Sequence, residues 1–206
     1  MTVKVNSAVL QDSILQFWFG SETDALAIAK RQAELWWGKS SALDTEIRER
    51  FGALREQVVQ GECDSWRETA RGRLALIISV DQFSRNMFRG KPEAFSYDYL
   101  AQEWCLDGLD SGADAELQPI ERVFFYLPLE HSESRVDQVR SVACFSELLK
   151  QAPPQQQELF AGYLDFARKH QAIVERFARF PHRNQILDRT STDAEIRFLE
   201  EPGSSF

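Results

Sequence analysis

Apolar residues recur every third or fourth position along almost the whole chain, and each interruption is marked by glycine, proline or a capping side chain. Ser7 is placed to N-cap a first helix carrying Val9, Leu10, Ile14, Leu15 and Trp18, stopped by Gly20. Asp24 caps a second, through Ile28, Ala29 and Trp36-Trp37, before Gly38. Ser40 or Ser41 opens a third, with Leu43, Ile47, Phe51, Leu54 and Val58 at helical spacing; it ends at Gly61, and Gly52 inside it is a point where it could break, since glycine there costs about 1 kcal/mol relative to alanine. The longest element is predicted from Trp66 to about Phe88 behind Asp64, followed by a helix that Pro92 starts and that runs through Leu106. After the polar stretch Asp107 to Glu116 comes Pro119 to Leu127, which Pro128 is expected to end. Helices are predicted over 134–151 and 154–177, then a short turn at 184–187. A last helix starts from the capping box Thr192-Asp-Ala-Glu195, and Pro202 to Phe206 is a tail.

The rival element is a strand over Val123-Phe-Phe-Tyr-Leu127. Leu117, Ile120, Phe124 and Leu127 keep helical spacing, however, and no second strand is available to pair with it. The predicted fold is therefore all-α, about nine helices in stacked antiparallel hairpins of a TPR-like kind, in a single domain spanning 1–206. No fixed repeat period is legible, so the likeness to TPR arrays concerns architecture alone.

Composition narrows the classes of function. The chain has 206 residues, 43% of them hydrophobic and 27% charged, which fits a globular domain and neither a disordered nor a membrane protein. No apolar run approaches the roughly 20 residues of a spanning helix, and Met1 to Asn6 lead into no signal-peptide core. A net charge of −8 argues against a nucleic-acid partner. Cys63, Cys105 and Cys144 form no C-x-x-C pair and read as small core residues of a cytoplasmic protein, with no metal or cofactor expected.

Against this background, four segments place polar groups in apolar company. In the long helix, Leu74, Ile78, Asp81, Gln82, Arg85 and Arg89 form a stripe that begins apolar and turns polar, beside a second stripe that stays apolar. Asp81 and Arg89, about 12 Å apart along such a helix, would span a pocket wall; alternatively Asp81 and Arg85 satisfy each other as an i,i+4 ion pair. His170 falls in line with Phe160, Tyr163, Phe166, Ile173 and Val174 and faces core or cavity, as a ligand group or as a satisfied core histidine. Glu130 and His131 follow Pro128, where a helix end can project them into a cleft. Between Asp165 and Arg189 there are six Lys/Arg against three Asp/Glu, and His182, Arg183 and Asn184 lie where a helix start can receive an anion. All three histidines of the chain thus lie in these segments.

At these residues the sequence resembles the DUF924 family. The resemblance is carried by Val80-Asp-Gln-Phe-Ser-Arg-Asn-Met-Phe-Arg-Gly90, Glu121 to Glu133, Arg179-Phe-Pro-His-Arg-Asn184, Ile14-Leu-Gln-Phe-Trp-Phe-Gly20 and Ser204-Ser-Phe206. It implies an all-helical TPR-like fold in bacterial-type soluble proteins and no particular activity. Ala178 and Asp188 depart from the family, which tends towards glycine there, a residue that allows positive φ.

Three functions follow as expectations. The first is a small anionic or polar ligand held by Asp81, Gln82, Arg85, Asn86, Arg89, His182, Arg183 and Asn184, with Glu130, His131 and His170 as candidate proton carriers in an enzymatic version. The second is a protein–protein interaction module with an aromatic groove where a tryptophan is accessible. The third is a polar network that only fixes helix packing. The chain's oligomeric state is left open, and Phe206 is equally placed to dock on the domain or to fray.

Overall fold

A computed structural model describes residues 7–204; Phe206, and with it the question of its docking, lies outside the described residues. The described chain is all-helical. Its helices are α1 (Ser7–Phe19), α2 (Ala25–Trp37), α3 (Ser41–Val59), α4 (Ala70–Ile77), α5 (Phe83–Met87), α6 (Asp98–Ser111), α7 (Pro119–Glu130), α8 (Arg135–Gln151), α9 (Gln157–Phe177) and α10 (Asp193–Leu199). Residues 123–127 lie within α7, which settles the strand question in favour of helix. The boundaries follow capping chemistry: Asp24 accepts from Ala27 N, Ser40 from Leu43 N, Ser134 from Asp137 N and Thr192 from Glu195 N. α1 begins at Ser7 itself.

Five boundaries differ from expectation, each for a local reason. The long element starts as a 3-10 turn, Asp64–Glu68, because Thr69 is extended and its hydroxyl caps a new helix at Gly72 N. Pro92 opens only a 3-10 turn, Pro92–Ala94, and α6 starts at Asp98. α6 then runs through the polar stretch to Ser111, where Gly112 supplies the left-handed cap at φ 75°. Pro154 likewise begins a 3-10 turn before α9. Pro128 does not end α7: it sits in the last turn, and the carbonyls beyond it, those of Leu129, Glu130 and Ser132, are all met by the Gln138 side-chain amide. Gly52 leaves α3 unbroken.

α4 and α5 are two halves of one helix joined by a π-helical turn, Ile78–Gln82, in which Phe83 N reaches back to the Ile78 carbonyl. Such wide turns cluster at functional sites. Every residue from Leu74 to Ser84 is buried, so this helix is the centre of the molecule. Around it the aromatic rings close the core. Phe124 of α7 packs edge-on against Trp18 and Phe19, tilted against Trp36 and stacked on Trp37. Beyond it α7 packs on α8 and α8 on α9, which sets α7's C-terminal end and α9 beside the π turn.

Candidate functional site

The π turn directs Asp81 inward, fully buried, where Coulomb attraction and hydrogen bonds must replace water. Asp81 Oδ1 lies 2.8 Å from His131 Nδ1 and 2.9 Å from Arg85 Nη1, and its Oδ2 accepts from the Gln82 amide at 2.6 Å. Burial alone would raise this carboxyl; Arg85 and then His131 outweigh it and hold it well below the usual carboxylate range. Arg85 is in turn forked onto Asp98 of α6, with both nitrogen–oxygen distances 2.9 Å. The Asp81–Arg85 ion pair is thus real, but it is one link in a longer chain.

Glu130 ends α7 and His131 caps it. Glu130 Oε1 lies 3.2 Å from His170 Nδ1, which is 2.9 Å from the Phe166 carbonyl. The His131 and His170 rings are 6.3 Å apart, and Phe180 lies against both His170 and His182 at 5.5 and 5.6 Å. Burial, and after it the Asp81 charge, push the Glu130 carboxyl up to about 8. Burial takes His170 down to about 3 and, with Arg183 beside it, His182 to about 4. His131 is lowered by burial and Arg85 against the pull of Asp81. At neutral pH the three imidazoles are therefore uncharged and Glu130 keeps its proton.

Arg183, 7% exposed, lies in the short turn Pro181–Arg183. Its guanidinium sits 4.9 Å from the Phe95 ring centre and 4.5 Å from that of Phe180. Its nearest carboxylate, Asp98 Oδ2, is 3.9 Å away, and its buried Nε has no hydrogen-bond partner among the described residues. Burial and the Arg85 charge hold it down to about 10. The cluster meets the surface through the half-buried Arg85, Phe95, Asp98, His131 and His182.

The structure thus brings together Asp81, Gln82, Arg85, Glu130, His131, His170, His182 and Arg183. It separates three others. α5 ends at Met87, so Arg89 has left the stripe and grips Asp44 of α3 with two 2.8 Å bonds; the expected pocket wall from Asp81 to Arg89 is not formed. Asn86, about 100° of helical rotation from Arg85, donates to the same Asp44 at 2.9 Å. Asn184 donates to Ser191 and accepts from Arg189. The backbone N–H groups of Arg183 and Asn184 bond to the carbonyls of Phe180 and Pro181, so the anion reading of this turn narrows to the Arg183 side chain. Asp98 and Phe95, which complete the cluster, were not singled out by sequence pattern; Asp98 stands at a helix start, where an acidic residue is ordinary.

Residues 14–203 match the family described as "Bacterial protein of unknown function (DUF924)". The chain belongs to the DUF924 family. No curated protein matches it. A solved structure, "Structure of Protein of Unknown Function ATU0120 from Agrobacterium tumefaciens", is similar at 35% identity with a TM-score of 0.79, covering 95% of this chain and 99% of that one. Ala178 and Asp188 have φ of 57° and 52°, and they are the positive-φ residues other than glycine among those described.

Elsewhere on this DUF924 protein, an open groove of about 730 Å³ runs between α1, the α1–α2 turn and the start of α7, bordered by Arg71 and Glu121, which pair at 2.6 Å. A shallower concavity of about 400 Å³ lies among Phe17, Arg31, Gln32, Glu46 and Arg50. Neither is lined by residues of the histidine cluster. Trp18, Trp36, Trp66 and Trp104 are buried, and Trp37, 51% exposed, stacks on Phe124 and leans towards Tyr163. No helix of the described residues is long and apolar enough to cross a membrane, and no group of three or more His, Cys, Asp and Glu among them could hold a metal ion.

Proposed function

We propose that this protein binds a small anionic ligand at the edge of the histidine cluster, with Arg183 as its receptor and His131 as the proton-carrying group beside it. The observation that carries this reading is the Arg183 guanidinium: buried, flanked by two rings and, among the described residues, with one loose carboxylate contact and an unmet Nε. Two other buried arginines with an unmet nitrogen, Arg55 and Arg73, are still tied by side-chain hydrogen bonds, Arg55 to Ser84 and Glu56 and Arg73 to the Trp104 and Arg67 carbonyls, whereas the Arg183 side chain makes none among the described residues and its desolvation is left least compensated. Arg85 and Asp98, with Asp81, supply the frame rather than the receptor, since their charges are already spent on one another. Asp81 orients His131 through Nδ1, and Glu130, neutral and buried, is a proton source within the same cluster. The interaction-module reading draws less support, because four of the five tryptophans are buried and the fifth is covered on one face by Phe124. The free thiols Cys63, Cys105 and Cys144 favour a cytoplasmic setting.

The test is a thermal-shift titration with acetate, propionate, lactate, benzoate and inorganic phosphate, on the wild type and on Arg183→Met. A ligand at 100 Kd stabilises by about 2.7 kcal/mol, a rise of several degrees for a chain of this size. A rise in the wild type that is absent in Arg183→Met supports the site. No rise with any of the five, or equal rises in both proteins, overturns it.

A further inference from the structure

Among the described residues, charge around the cluster balances. Two carboxylates, Asp81 of the π turn and Asp98 of α6, face two guanidiniums, Arg85 of α5 and Arg183, while the neighbouring pair of Glu133 after α7 and Arg189 in the turn before α10 closes on itself. The other titratable groups that face it, Glu130 and His131 at the end of α7, His170 of α9 and His182 beside Arg183, add no charge at neutral pH. An anion arriving at Arg183 therefore finds a donor but no surplus positive charge, and in a desolvated setting an uncompensated charge is costly.

His131 is the group placed to restore the balance. Its Nδ1 already rests 2.8 Å from Asp81 Oδ1, so a proton gained on the ring forms an imidazolium–carboxylate pair without rearrangement. It is also half-buried at the rim, where a proton can exchange with water. His170 is less suited: its Nδ1 is engaged with the Phe166 carbonyl and faces the protonated Glu130. His182 lies beside Arg183 and against the Phe180 ring, where a second cation is repelled.

Building on the anion site at Arg183, we infer that the ligand is a monoanion such as a monocarboxylate, and that it enters together with one proton, which lodges on His131 against Asp81. A dianion would need two protons in the same space, and the only other imidazoles lie against a carbonyl or a guanidinium. The half-buried Phe95 ring beside Arg183 suits a ligand whose carboxylate carries an apolar body.

Calorimetric titration with acetate, propionate and benzoate at pH 6, 7 and 8, in two carboxylate-free and phosphate-free buffers of different ionisation heat, tests this. The expected result is uptake of one proton per carboxylate bound and a Kd that rises about tenfold per pH unit on the alkaline side, the slope of a single linked proton. His131→Asn is expected to bind more weakly, with no proton uptake and a flat pH profile. If that variant does not fold, the imidazole proton resonances of the wild type, followed with and without benzoate, give the same answer through one histidine whose titration moves upward. Binding with a pH-independent Kd and no proton uptake overturns the inference and leaves the Arg183 site standing. Unaltered uptake in His131→Asn, or three histidines whose titrations do not move, removes His131 from the role. Failure of all three carboxylates to bind removes the site itself and the inference with it.

Discussion

Two polar networks lie next to each other on the C-terminal side of the molecule, and they are built on opposite plans. In the clasp around Glu133 every charge is closed off: Oε1 accepts from Phe180 N at 2.8 Å and from Arg189 at 3.0 Å, and Oε2 accepts from Arg189 at 2.7 Å. The same arginine reaches Asn184 Oδ1 at 3.0 Å and the Phe180 carbonyl at 3.1 Å. This is the geometry of a strut, which holds the last turn and α10 against α7. In the histidine cluster, three imidazoles and a protonated glutamate are gathered in the interior, and a guanidinium is held there with a nitrogen unmet among the described residues. The clasp shows what this chain does when it needs only to pin a segment; the cluster is not made that way. The difference is what separates a candidate site from buried polar packing.

The largest expected effect that sharpens this contrast is pH-dependent. Glu130 is raised from an ordinary 4.5 to about 8, first by burial and then by the Asp81 charge. Native protein thus keeps a proton that the unfolded chain has released. The stability contributed by this group is present below about pH 4.5 and is lost as pH rises through about 8. Glu130→Gln, neutral at every pH, removes that loss. Its stability relative to the wild type, measured by urea unfolding, is expected to improve from pH 5 to pH 8 by at most about 3.5 kcal/mol. A difference that stays constant over that range means Glu130 is ionised in the native state, and the contrast with the clasp fails on that side.

In the clasp the expectation is reversed. Burial raises Glu133, but the bonds from Arg189 and from Phe180 N outweigh it and leave it below the ordinary value. Its contribution is therefore full above the unfolded-state value and is lost as pH falls. Glu133→Ala strips Arg189 and Phe180 N of their acceptor and is expected to destabilise by about 2 kcal/mol at pH 7, the half-exposed setting discounting the figure for a fully buried pair. For a chain of this length that lowers the melting temperature by about 4–8 °C. The ligand response of the histidine cluster is expected to survive. Loss of that response in a folded Glu133→Ala protein would join the two networks into one.

Much of this architecture was legible in the sequence because it rests on local signals. The caps at Asp24, Ser40, Ser134 and Thr192 and the apolar spacing between them fixed the order of helices. Clusters of polar residues in apolar surroundings pointed to most of the site: Asp81, Gln82, Arg85, Glu130, His131, His170, His182 and Arg183 do meet. What was not legible depends on tertiary contact. Asp98 and Asp44 look like ordinary solvent-facing acids until the fold sets Arg85 against one and Arg89 with Asn86 against the other. The π turn leaves no mark in periodicity, because five residues of wider turn between two helical stretches keep the apolar pattern nearly intact. Pro128 misleads for a related reason: Gln138, on the next helix, is what makes the end of α7 tolerable.

The smallest effect concerns the joint between the two networks. Ala178 caps α9 in the left-handed region, its N–H on the Val174 carbonyl at 2.8 Å, and Asp188 takes a similar φ just before Arg189. Both positions border the clasp, and both hold a side chain in a backbone region that favours glycine. A Cβ in that region meets the neighbouring carbonyl, whereas glycine relieves the contact but has more freedom to lose on folding. The balance predicts that Ala178→Gly and Asp188→Gly each stabilise by about 0.5 kcal/mol, a gain of about 1–2 °C in melting temperature. Because the turn they relieve carries Phe180, His182 and Arg183 as well as the clasp, the pair also tests whether the strain is felt by the site. Stabilisation with unchanged carboxylate affinity confines the strain to the strut. A change in affinity means the left-handed turns set the position of Arg183, and a fall in stability means the native φ values at 178 and 188 are held by contacts that glycine cannot make.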